Sequence, residues 1–234
     1  MPKRKFNSTK PPCPDPDKFI LIRGEYRYFW RRKRGTVKPA VLNAVLAESA
    51  AITKNTNRAA RQLMSLLSVF TQHMSLGRAT SRIAGAFKKS YLKTGLMDFS
   101  YMEKVEFQEN YPVHRLYKGG ISKQIVKGCL ELHVPVGDGH VKRWSDTAVS
   151  YQLHAILLYG DPSKERGIKI ETDESRTYSF GEAKKMDCHL QLVLPSKNRP
   201  WMALLYMGCK LSLPFPAGSK YHAMIVLKTS GEEG

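Results

Sequence analysis

The sequence predicts an α+β chain: a basic N-terminal tail and β-hairpin, about three amphipathic helices, then an antiparallel β-sandwich or barrel of six to eight strands. Three observations carry that expectation. Positive charge is concentrated early, apolar residues recur with a helical period up to about residue 94, and after about residue 103 the period becomes two. The 234 residues include 38 Lys and Arg against 20 Asp and Glu, a net charge of +18. Residues 1–100 hold 20 basic and 5 acidic side chains, whereas residues 101–234 hold 18 and 15. No acid occurs from Ser49 to Met97. The expected division is a flexible basic tail over 1–18, a basic hairpin plus helical region over 19–100, and an antiparallel β domain over 101–234.

Residues 1–18 contain five Lys or Arg and five Pro, too little apolar area to offset the entropy of ordering. Phe19–Ile22 and Tyr26–Trp30 are β-prone and flank Arg23-Gly24-Glu25, where Gly24 suits a two-residue type II′ turn. Pro39 suits the first position of a helix carrying Val41, Leu42, Val45 and Leu46. Asn55 or Asn57 would cap a second helix running to about His73, with Leu63, Leu67, Phe70 and Met74 within roughly 60° of arc. Gly77 breaks the pattern. The third helix, about 78–94, has Ile83, Ala84, Phe87 and Tyr91 on one face, and Gly95 suits its C′ position. Alternation such as Leu130/Leu132/Val134, Cys188/Leu190/Leu192 and Ala203/Leu205/Met207 then marks strands, with Gly- and Pro-rich turns between them.

Two constellations point to a polyanion. In the first, Arg23, Arg27, Arg31, Arg32, Lys33 and Arg34 interleave with Tyr28 and Trp30. Arginine forks onto phosphate and aromatic rings stack on unpaired bases, so this is the composition of a ribbon that follows a nucleic-acid backbone. In the second, Lys54, Arg58 and Arg61 lie opposite the apolar face of the second helix, and Arg78, Arg82, Lys89 and Lys93 form a stripe on the third. Surface helices ordinarily mix both signs, so an acid-free stripe departs from mere solvation. Nothing marks a base-reading helix, which favours sequence-independent phosphate contact.

Other candidates are weaker. His133, His154 and His189 sit out of phase with their strands' apolar residues and would meet at a metal only if those strands were neighbours. Glu171-Thr-Asp173-Glu174 reads as a polar turn. Cys13, Cys129, Cys188 and Cys209 form no CxxC pair, which argues against a zinc ribbon or disulfide framework. Phosphate-loop, dinucleotide, nucleophile-elbow and deaminase signatures are absent from the sequence.

The expectation is therefore a non-catalytic nucleic-acid-binding protein, DNA or RNA, with no cofactor and with the β domain as scaffold or protein-docking surface. The alternatives are a shell-type structural subunit with a basic arm, forming homo-oligomers, or a ribonucleoprotein or ribosome-associated subunit. The sequence shows neither a secretory leader nor a run of about 18 apolar residues, so an intracellular location, cytoplasmic or at the nucleoid or nucleus, is expected.

Overall fold

The computed structural model describes residues 9–23, 27–32, 43–137, 139–181, 186–196, 199–212 and 218–230. The chain divides into two compact units, Met1–Ala47 and Glu48–Gly234. In the first, β1 (Phe19–Arg23) and β2 (Tyr28–Arg32) form an antiparallel hairpin in which Arg23 faces Tyr28 and Phe19 faces Arg32. Tyr26, where the sequence reading begins the second strand, lies outside the described residues. The turn itself, with Gly24, lies outside the described residues, as do residues 1–8 of the expected tail and Pro39.

Helix α1 runs unbroken over Ala44–Leu66, so the two helices expected on either side of Asn55 are one. The cap is Asn43, whose Oδ1 accepts the Leu46 N–H at 2.9 Å, while Asn55 and Asn57 stand mid-helix. Their capping chemistry is not used because the helical period of Thr56, Ala59, Ala60 and Leu63, all buried, carries the chain straight through. Val45 and Leu46, expected to pack, are exposed. A short α2 (Ser68–Thr71) follows, then α3 (Ala79–Thr94), which ends as the sequence indicates. Gly95 takes a φ of 75° and donates its N–H to the Tyr91 carbonyl. A single turn, α4 (Val113–Leu116), leads to the strands.

Among the described residues eight strands follow: β3 (Ser122–Val126), β4 (Cys129–Val136), β5 (Ala148–Gly160), β6 (Ile168–Glu174), β7 (Tyr178–Ser179), β8 (Met186–Val193), β9 (Trp201–Leu211) and β10 (His222–Thr229). They form two antiparallel sheets, β10-β9-β5-β6 with β7 also on β5, and β3-β4-β8. Mixed helices and antiparallel sheets are thus the observed class.

Burial shows how these parts stack. Leu130, Leu132 and Leu190 of the smaller sheet share one buried cluster with Leu153, Leu157, Leu205 and Met207 of the larger. The intervening residues of the larger sheet, Ile156, Leu158, Met202, Leu204 and Met224, face the other way. They form a second cluster with Leu63, Leu67, Ile83, Phe87 and Phe99 from the helical segments. The larger sheet is therefore buried on both faces, with helices on one and the smaller sheet on the other. Residues 48–100 pack with the strands rather than as a region apart, because the apolar sides of α1 and α3 have that sheet face to cover.

Candidate nucleic-acid interface

The basic constellations fall in different units, and each has its own geometry. In the hairpin, residues directly opposite share a face, so Arg23, Tyr28 and Trp30 lie on one side, Phe29 and Arg31 on the other. The first side is in use within the unit. The Trp30 indole N–H donates to the Pro11 carbonyl at 2.9 Å, and the Lys10 ammonium lies 5.9 Å from the centre of the Tyr28 ring. Both rings are half-buried. Among the described residues of the hairpin the accessible aromatic is instead Phe29, 43% exposed, beside exposed Arg31. Arg23 and Arg27 are also exposed. Arg32 belongs to β2 by its backbone, and Lys33 and Arg34 lie outside the described residues.

In the second unit, Lys54, Arg58 and Arg61 are exposed on α1, opposite its buried residues. Arg58 also donates through Nη2 to the Ser163 carbonyl at 2.7 Å, which ties α1 to the β5–β6 turn. On α3, Arg78 stands exposed at the N-cap. Lys89 and Lys93 are exposed and place their ammonium groups 4.4 and 5.7 Å from the centre of the Tyr101 ring. A hydrogen bond with Tyr101 raises the Lys93 pKa. Lys88 reaches across to α1 and donates to Thr53 Oγ1 at 3.2 Å. That contact joins the Lys54 side of α1 to the outer face of α3, where Lys88, Lys89 and Lys93 surround Leu92.

Arg82 differs from its neighbours. It is half-buried, pairs through Nη1 with Glu109 at 3.0 Å, and donates through Nη2 to the Glu106 carbonyl at 2.7 Å. Its charge is answered inside the fold by a residue that sequence proximity does not reveal. The Glu106 side chain accepts the Val113 N–H at 3.1 and 3.2 Å, and burial pushes its pKa up to about 7 against the opposing pull of that bond and Arg82.

The histidines do not converge. His133 and His189 are cross-strand partners with ring centres 4.4 Å apart, but His154 lies on the other sheet against Phe70 and Tyr206. Burial lowers the His154 pKa despite Glu174 at 3.6 Å. Among the described residues no group of three or more His, Cys, Asp or Glu has metal-binding geometry. The acidic stretch expected as a turn is instead part of β6. Glu171 accepts the Tyr159 hydroxyl at 2.6 Å, and Asp173 accepts the Gln191 N–H at 2.8 Å. The latter occupies a backbone donor on the outer edge of β8, which would otherwise template strand pairing. The four cysteines are free thiols, and burial raises the pKa of Cys188 and Cys209.

A feature not visible in the sequence is a cleft of about 850 Å³ bounded by α1, the end of α3 and the β5–β6 turn. Of its basic residues, Arg58 belongs to the α1 stripe read from helical spacing, whereas Lys164, Lys169 and Arg199 come from the β5–β6 turn, β6 and the segment before β9. No run or spacing joins these three to Arg58.

No family model matches the chain. No curated protein matches it either. Among solved structures, the solution structure of R. palustris CsgH aligns over 40% of this chain and 80% of its own, at 14% identity and a TM-score of 0.21. A likeness that small carries no argument about fold or function. No helix among the described residues is long and apolar enough to cross a membrane.

Proposed function

We propose that the chain binds nucleic acid, DNA or RNA, independently of base sequence and without catalysis, by holding phosphates on the outward side of its helices. The observation that carries this is the outer surface of α1 and α3, on which no acid occurs from Ser49 onward and Glu48, near the start of α1, is the one carboxylate of the two helices. Lys54, Arg58, Arg61, Lys89 and Lys93 are exposed there, and Lys88 links the two helices through Thr53. Their apolar sides are committed to the sheet, so these cations face outward with no carboxylate from residues 49–97 to answer them. Such a surface lowers the energy of an approaching polyanion and releases its counterions. Arg23, Arg27 and Arg31 of the hairpin add cations to the same chain, and the basic tail, Lys33 and Arg34 are assigned the same role. The β-strands serve as scaffold.

The test is fluorescence anisotropy with labelled single-stranded and duplex DNA and RNA at about 50 and about 200 mM salt. The reading expects binding to several sequences alike, with affinity falling steeply between the two conditions. Absence of binding at the lower salt to every one of these ligands refutes it.

A second reading is a shell-type subunit, favoured by one observation: two antiparallel sheets close on one apolar cluster, which we read as a β-sandwich able to tile. Light scattering separates the two. A chain that stays monomeric with and without nucleic acid excludes the shell reading.

A further inference from the structure

We propose that the cleft between α1, the end of α3 and the β5–β6 turn is a nucleotide site, which takes a planar base against Tyr91 and Tyr159 and its phosphate on Lys169 and Arg199. The proposal deepens the nucleic-acid reading and rests on it where the nucleotide belongs to a strand. A free mononucleotide carries the same two chemical features.

The cleft's volume, about 850 Å³, lies within the range of small-molecule sites. Its walls are built rather than incidental. Gly160 sits at φ +119°, and a Cβ there would stand 2.1 Å from the Gly167 carbonyl oxygen. A Cβ on Gly167 would stand 2.1 Å from the Asp161 carbonyl oxygen. Only glycine lets the turn close this tightly. Helix α1 then clamps it: Arg58 binds the Ser163 carbonyl, and the Gln62 amide, oriented to suit its neighbours, accepts the N–H groups of Arg166 and Gly167 at 2.9 and 3.0 Å.

The charges inside favour an anion. Two carboxylates of the lining are already satisfied. Asp161 accepts from Ser163 N and Oγ and lies 3.5 Å from Lys164, while Asp98 accepts from Ser90 Oγ and the Ser100 N–H. Arg58, Lys169 and Arg199 have no carboxylate within ion-pair distance among the described residues, and Glu48 alone of the lining acids opposes them. Arg199 and Lys169 are exposed, with side chains available to a phosphate.

Two aromatic rings identify the remainder of the ligand. The third helix's periodicity assigns Tyr91 to its packed face, yet it is 37% exposed and lines the cleft. Tyr159 is held in place by its hydroxyl bond to Glu171, and Lys169 is its direct cross-strand partner, which places a cation beside a fixed ring. A ring next to a cation fits a base joined to a phosphate better than an aliphatic acid, whose chain gains nothing from a π-face.

The experiment is calorimetric titration of the whole chain with adenosine monophosphate, adenosine, inorganic phosphate and octanoate, alongside a single-stranded oligonucleotide. The monophosphate should bind more tightly than the other three small molecules. Tyr91→Leu, Lys169→Gln and Arg199→Gln, all at exposed positions, should each weaken it about fivefold or more, the lower end for a lost stacked base. Lys118→Gln, at an exposed lysine outside the cleft lining, should leave it unaltered. Inorganic phosphate or octanoate matching the monophosphate, or the cleft variants leaving its affinity unchanged, overturns the proposal. Oligonucleotide binding without mononucleotide binding also overturns it while sparing the broader reading. Mononucleotide binding without oligonucleotide binding does the reverse.

Discussion

Glu106 makes the stability of the second unit depend on pH in a direction opposite to most carboxylates. Its carboxylate accepts the Val113 N–H at the start of the short turn, while its backbone bridges to Ile225 of β10. Burial holds its carboxyl near pKa 7 against an ordinary value of 4.5. The folded chain therefore keeps this proton up to about pH 7, whereas the unfolded chain releases it near 4.5. Between those values the folded state binds more protons, so stability falls as pH rises and then levels off with respect to this group. At about 1.36 kcal/mol per pKa unit the shift sets a ceiling of about 3 kcal/mol, which solvent screening of this part-exposed carboxyl lowers. Glu106→Gln keeps an oxygen for the Val113 N–H and removes the titration. Urea unfolding at pH 4.5, 6 and 8 should show the variant gaining on the natural chain by up to that amount as pH rises. Parallel pH curves for the two proteins would refute the reasoning.

Two further perturbations test the way the helices and turn are built. Phe87 is fully buried among helical and sheet residues, so Phe87→Ala should cost about 3–5 kcal/mol. With Trp30 and Trp144 changed to Phe, the helical circular dichroism and Trp201 fluorescence should be lost in one transition, and separate transitions would show that the helices do not share the sheet's core. Gly160→Ala should destabilise by more than about 1 kcal/mol, since its φ of +119° and the Gly167 carbonyl leave no room for a Cβ. Chemical denaturation that leaves its midpoint unchanged would contradict that geometry.

Local signals were legible where a single neighbour relation decides them. Gly95 ends α3 as its sequence position suggests, and the alternation in β4 and β8 appears directly as alternating burial. The break expected at Asn55 fails because capping residues are also tolerated mid-helix when the apolar stripe continues. In β5 and β9 the period-two reading finds Leu153, Leu157, Leu205 and Met207 but not the burial of Ile156, Leu158 and Leu204. The signal was the continuous apolar character of Ala155–Leu158 and Met202–Leu205, which marks a strand covered on both faces. Of the candidate site, the lysine and arginine stripes follow from helical geometry. What Arg82 does, and how Lys169 and Arg199 meet Tyr91, depends on contacts between residues far apart in sequence.

The central claim, that outward helical lysines hold phosphates, is tested most directly by the slope of log affinity against log salt. Each phosphate contact contributes about 0.7 to that slope on single strands and about 0.9 on duplex DNA. Changing Lys88, Lys89 and Lys93 together to Gln should make the slope shallower by about 2 on single strands and about 3 on duplex DNA, with binding weakened alike for unrelated sequences. An unchanged slope, with the variant still folded, would show that this face of the helices does not hold the nucleic acid.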